Sequence, residues 1–159
     1  MKKNTRNEAF PELAPCHCAN IRWMSREVSR FYENALSESG LKLTQYALLS
    51  SLKFYGPLTM NALSRVSRLE RTTLVRKLKP LQSEGFIRLS ARDASNANLV
   101  SVTDRGLAIL DRAEPLWNRA QALFRERFDA EEWAHFVRVL LKLSKINGEN
   151  GAQDDEARR

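Results

Sequence analysis

The sequence predicts a mainly α-helical protein with one short β-hairpin, and three observations carry that prediction. Apolar residues recur at steps of three and four through most of the chain. Threonine, aspartate, glycine and proline stand where such runs should start and stop. One interval, residues 86 to 102, reads instead as strand, polar run, strand. With 159 residues, 43% of them apolar and 28% charged, the chain can bury one core and is short for two domains.

Residues 1 to 14 lack apolar periodicity and read as a flexible arm. A first helix is expected over 17 to 39, where Ile21, Met24, Val28, Phe31, Tyr32 and Ala35 recur at helical steps and Gly40 supplies the stop. A second should start at Thr44 as N-cap and run through Tyr46, Leu48, Leu49 and Leu52 to Gly56 and Pro57. Thr59 caps a short third helix with Met60, Leu63 and Val66 on one side, and a turn of three or four residues leads to a fourth. In that fourth segment, ERTTLVRKLKPLQSEG, Leu74, Leu78 and Leu81 form a stripe, while Thr72, Arg76, Lys79 and Ser83 fall opposite. Pro80 should kink it and Gly85 end it. The hairpin follows, with strands at 86–89 and 99–102. Thr103 then caps a long helix that Pro115 should bend, and Asp129 with Glu132 makes a capping box for the last one. The tail, 148 to 159, is expected to be disordered.

The net charge of +7 is unevenly placed. The segment from 61 to 105 holds nine basic residues, Arg65, Arg68, Arg71, Arg76, Lys77, Lys79, Arg88, Arg92 and Arg105, against Glu70, Glu84, Asp93 and Asp104. Two helices joined by a short turn, the second basic on its outer face and followed at once by a polar-tipped hairpin, define a winged helix-turn-helix over 44–102. Such a recognition helix presents short polar and long basic side chains to base edges and phosphates while its other face packs on the lobe. Double-stranded DNA is therefore the expected partner, with Arg76 as the base-reading candidate. Arg71, Thr72, Thr73, Lys77 and Lys79 complete the candidate surface, and Arg92 near the wing tip is placed to reach the neighbouring minor groove.

The pattern LTMNALSRVSRLERTTLVRKLKPLQSEGFIRLSARD, with LVSVTDRG returning from the hairpin, resembles the MarR family of bacterial transcription regulators over roughly residues 17 to 146. The resemblance implies a homodimer whose helices at 17–39 and 103–147 interleave and whose two lobes grip a roughly palindromic site, as a repressor or activator answering to an effector. Long apolar stripes on those helices agree, because they exceed what one small lobe can bury. One departure is visible: many members carry Asp-x-Arg or a run of arginines at the wing tip, where this chain has Ala94, Ser95, Asn96, Ala97 and Asn98. Wing contact then rests on Arg92.

Cys16-His17-Cys18 stands at the mouth of the first helix. Helix N-termini and nearby cations such as Arg22 favour thiolate over thiol, and a thiolate is oxidisable to a sulfenic acid that a second thiol resolves. In MarR-type peroxide sensors a reactive cysteine lies near the start of the first helix. The resemblance puts Cys18 at that position and Tyr32 at that of a tyrosine near the thiol, while a second such tyrosine is Leu43 here. The alternative is that Cys18 packs as a small apolar residue. A zinc site wants about four ligands, and His135 is the only other histidine, so no metal or cofactor is assigned. Family members often bind small aromatic acids in a cleft between dimer helices and DNA-binding lobe. Trp23, Arg26, Arg30 and Trp117 are the candidates for such a cleft, and interface packing explains them equally well.

No phosphate loop, nucleophile elbow or HExxH pair is present, so no enzyme is expected. A helical protein-interaction module explains the basic amphipathic helix and not the hairpin, and sequence-blind DNA binding is the third reading. No run approaches the roughly 18 apolar residues of a membrane span, and no apolar signal segment follows the basic start, so a cytoplasmic location is expected.

Overall fold

The computed structural model describes residues 16–90 and 98–146. The predicted arm, the tail and the hairpin tip with Arg92 lie outside them. Helix α1, His17–Leu36, passes into a 3₁₀ turn, Ser37–Ser39, that ends at Gly40 with φ 78°. Gly40 adopts the left-handed backbone that glycine tolerates without strain. The buried Ser39 hydroxyl fixes the corner, donating to the Leu36 carbonyl at 2.6 Å and accepting from the Leu41 N–H at 3.1 Å.

Helix α2, Leu43–Tyr55, starts one residue before the expected cap. Thr44 is inside the helix. The Gln45 side chain takes over the capping role, its Oε1 accepting the Lys42 N–H at 2.9 Å, because a residue at the third helical position can reach back to the entry. Strand β1, Leu58–Thr59, was not predicted; it precedes α3, Met60–Ser67. Thr59 does cap α3, accepting the Ala62 N–H at 3.2 Å. Helix α4, Arg71–Ser83, runs through Pro80. Strands β2, Ile87–Ser90, and β3, Leu99–Val102, pair antiparallel with Ile87 opposite Val102 and Ser90 opposite Leu99. β1 adds to the other edge of β3, Leu58 opposite Val100, giving the order β1-β3-β2. Helices α5, Asp104–Arg125, and α6, Ala130–Ser144, follow, α6 opened by the Asp129–Glu132 capping box.

The chain packs as two compact units, with the division after Trp117. In the first, Leu36, Leu48, Leu49, Leu52, Leu63, Leu74, Leu81, Val100 and Leu110 are almost wholly inaccessible and form one core. Each such leucine contributes about 1.5–3 kcal/mol by leaving water. In the second, Phe124, Phe128, Trp133 and Phe136 pack as an aromatic cluster, Phe128 stacked on Phe136 at 5.4 Å. No residue of α6 is buried.

Candidate nucleic-acid interface

The interface begins with the turn between α3 and α4. Arg68 leaves α3 in the left-handed conformation, φ 53°, and its N–H bonds the Arg65 carbonyl. The Ser64 hydroxyl donates to the Leu69 carbonyl at 2.6 Å, and the Leu69 N–H returns to the Ser64 carbonyl at 3.2 Å. Two of these bonds satisfy the Ser64 and Arg65 carbonyls in the last turn of α3, and the third ties the turn back to that helix, so α4 starts after three residues. Arg71 adds a clamp: its Nη1 donates to Asn61 Oδ1 of α3 at 2.8 Å.

Leu74, Leu78 and Leu81 anchor α4 on the core at 0%, 4% and 0% exposure. At about 100° per residue, Thr72, Arg76, Lys79 and Ser83 then point directly away from it, and all four are exposed. Thr73 is half-buried at the flank, and Lys77, one turn on, is exposed along the same flank. Among the described residues no ion pair holds Arg76, Lys77 or Lys79. Arg76 and Lys77 also border a groove of about 500 Å³ with Lys42, Thr44, Pro80, Glu33 and Glu84.

The hairpin is tied to this lobe through Thr103. Its N–H donates to the Phe86 carbonyl at 3.0 Å and its hydroxyl to the Gly85 carbonyl at 2.6 Å, while the same oxygen accepts the Gly106 N–H at 3.1 Å. Arg105 lies over the Phe86 ring at 5.5 Å, and Arg88 Nε donates across the strands to Ser101 Oγ at 3.1 Å. The TDRG motif is thus a joint that holds the return strand, the start of β2 and the first turn of α5 together. Asn61 and Ser101 escaped the sequence reading because each matters only through an arginine that folding brings to it.

The other candidates are more scattered. Cys16 and Cys18 are both exposed in the single chain, so neither packs into that chain's own core. The first buried residue of α1 is Tyr32, so its opening turns have no core to enter. Tyr32 packs edge-on to Phe31 and against Trp117, centroids 5.2 and 4.7 Å. Fourteen residues of one helix, about 21 Å, separate it from Cys18, so Tyr32 does not reach that thiol within one chain. Trp117 stacks on Tyr46 at 4.8 Å. Trp23, Arg26 and Arg30 lie half a helical turn round from Tyr32, with Arg30 paired to Glu27 at 3.4 Å. The four residues assigned to an aromatic-acid cleft therefore do not converge in one chain. Among the described residues no group of three or more histidine, cysteine or acidic side chains is placed to hold a metal.

A capped helix, a three-residue turn, a helix with an apolar inner and basic outer face, and a sheet packed behind it define a winged helix-turn-helix protein. Comparison with known proteins extends this. The model of the MarR family matches residues 41–95. The M. tuberculosis transcriptional regulator MosR, solved in complex with DNA, is 30% identical, covering 91% of this chain and 98% of that one with a TM-score of 0.72. MosR solved on its own gives 28%, 86% and 98%, with a TM-score of 0.73. A mutant MarR from E. coli complexed with operator DNA, 22% identical over 79% of this chain and 91% of that one, shares the fold at a TM-score of 0.71. No curated protein matches the sequence. The chain belongs to the MarR family and is a DNA-binding transcriptional regulator of that family. Among the described residues no helix is long and apolar enough to cross a membrane.

Proposed function

We propose that the protein is a cytoplasmic, homodimeric regulator, a binding protein and not an enzyme, which reads a palindromic site and releases or grips it in response to an effector. The observation that carries the reading is the outer face of α4, where exposed Thr72, Arg76 and Lys79 stand opposite three buried leucines. Arg76 reads a base; Thr72 and Thr73 assist; Arg71, Lys77 and Lys79 contact phosphate; and Arg92 enters the minor groove. Arg71 does so with one guanidinium nitrogen already committed to Asn61. Residues 17–39 and 103–147 form the dimer region, and an effector acts by changing the spacing of two recognition helices, which a palindrome fixes near one helical turn.

Fluorescence anisotropy on the duplex upstream of the protein's own gene and on random duplex tests this. Arg76→Ala should lose about 1–3 kcal/mol of preference at one base position. Lys79→Ala should weaken all sequences alike and lower the slope of log affinity against log salt by about 1. Equal losses on both duplexes for Arg76→Ala would remove its base-reading role, and no preference at any salt would remove the specific regulator.

Exposure of Cys16 and Cys18 favours an oxidant as the effector. Peroxide takes one thiolate to a sulfenic acid, and the second thiol displaces water to close a disulfide. Peroxide-treated wild type should release the specific duplex, while Cys16→Ser and Cys18→Ser hold it and added thiol restores binding. Unchanged affinity after peroxide, with both thiols shown by mass to be oxidised, would exclude the sensor.

A further inference from the structure

Helix α3 carries an exposed basic edge that is separate from the outer face of α4. Asn61 and Arg65, one turn apart, share the side of α3 opposite the buried Leu63, and Arg68 leaves the helix at its end. All three are exposed. The carbonyls in the last turn of α3 are already satisfied, that of Leu63 by the Ser67 hydroxyl at 2.6 Å, that of Ser64 by the Leu69 N–H and that of Arg65 by the Arg68 N–H. Neither guanidinium is needed as a cap. Among the described residues no carboxylate pairs with Arg65 or Arg68, whereas Glu27 holds Arg30, and Asp111 and Glu114 hold Lys53. The only acid between residues 61 and 71 is Glu70, against three arginines, so the edge keeps a positive charge.

Two features show that this charge is displayed by the structure. Arg68, at φ 53°, is the one non-glycine residue with left-handed backbone among those described. The turn alone calls for glycine, which adopts that conformation without strain; the guanidinium is what glycine could not supply, and strain of this kind gathers at functional sites. Arg71 is the second feature. It precedes Leu74 by three residues, so it lies on the side of α4 that turns towards α3, away from Thr72, Arg76 and Lys79, and Asn61 Oδ1 accepts its Nη1 at 2.8 Å. A carboxylate at position 61 would hold this guanidinium and cancel its charge. The neutral amide holds it and leaves the charge, with the remaining N–H donors, for an outside anion.

We propose that Arg65, Arg68 and Arg71 form a second, α3-centred surface that grips the phosphates of double-stranded DNA, with Asn61 as the positioning residue of Arg71. This deepens the regulator reading and rests on it: with α4 in the major groove, α3 crosses the backbone beside it, where arginine contacts phosphate bidentately and carries no sequence information.

Anisotropy titrations at several salt concentrations, on the upstream and the random duplex, are the test. Arg65→Gln and Arg68→Gln should each weaken both duplexes severalfold and alike, and each should lower the slope of log affinity against log salt by about 1. Asn61→Ala should weaken binding by the wild type and add nothing to Arg71→Gln, since it acts through that guanidinium. Arg68→Gly separates folding from binding: with the strain relieved it should melt above wild type and still bind both duplexes more weakly. A residue that merely shaped the turn would gain stability and lose nothing on DNA. Unchanged salt slopes for Arg65→Gln and Arg68→Gln would overturn the surface, and an Asn61→Ala effect that persists without Arg71 would overturn the positioning role. The random duplex keeps this result apart from the regulator reading, because equal wild-type affinity for both duplexes removes the specific regulator and leaves the phosphate surface standing.

Discussion

Gly106→Val should cost about 3 kcal/mol of stability in the first unit, read as a shifted midpoint in denaturant unfolding, and should weaken DNA binding on every sequence. A Cβ on Gly106 would overlap the Phe86 carbonyl oxygen and fall 2.7 Å from Val102 Cγ2. The carbonyl it strikes already accepts the Thr103 N–H at 3.0 Å, and Phe86 is 5% exposed. Nothing in the contact can swing aside as a surface side chain would. Either the first turn of α5 moves off the sheet or the β2–β3 joint opens, and both disturb the wing. Gly40→Ala is the contrast. Its Cβ would meet nothing within 4 Å, so only the left-handed backbone is penalised, at about 1 kcal/mol. Equal melting of Gly106→Val and wild type would contradict the joint's role.

The second large effect is expected from Leu140→Asp combined with Leu143→Asp on α6. These side chains are 49% and 38% exposed, in a helix that also exposes Val137, Val139 and Leu141, with Ile146 exposed just beyond its end. A monomer seldom leaves so long an apolar surface in water, and α1 adds Ile21 and Met24, also exposed. Two aspartates should split the proposed dimer, seen as a halved mass in sedimentation velocity. Affinity for the palindromic duplex should fall by about 100-fold or more, because the second lobe's contacts are no longer intramolecular. Affinity for a half-site duplex should be unchanged, since neither residue belongs to the lobe that bears α4. A dimer mass that survives the double substitution would place the interface elsewhere.

Features written within one or two helical turns were legible before folding was considered. The stripe of Leu74, Leu78 and Leu81 announces which face of α4 is buried, and therefore that Arg76 and Lys79 face solvent. Thr59 before α3 and the Asp129–Glu132 box before α6 act over three residues, and both operate as their spacing implies. Thr44 misled because a threonine before an apolar run is only one of two local solutions; Gln45 reaches the Lys42 N–H and sets the cap two residues earlier.

Strand β1 illustrates what such reasoning misses. Two residues carry no periodicity, and Leu58–Thr59 becomes a strand only because β3, some forty residues later, supplies its hydrogen-bond partners. Arg71 meets Asn61 and Arg88 meets Ser101 across 10 and 13 residues, and Lys53 meets Asp111 and Glu114 across 58 and 61. Trp117 joins Tyr32 and Tyr46 while Trp23 lies round the helix from them. The sequence by itself determined the helices, the exposed basic face of α4 and the family resemblance, since periodicity, caps and a local charge excess act between near neighbours. Tertiary structure alone decided which charges are already spent, which thiols the chain's own core leaves exposed and how closely Gly106 approaches Phe86. Those depend on the relative placement of distant elements, which is fixed only when their apolar faces share one core.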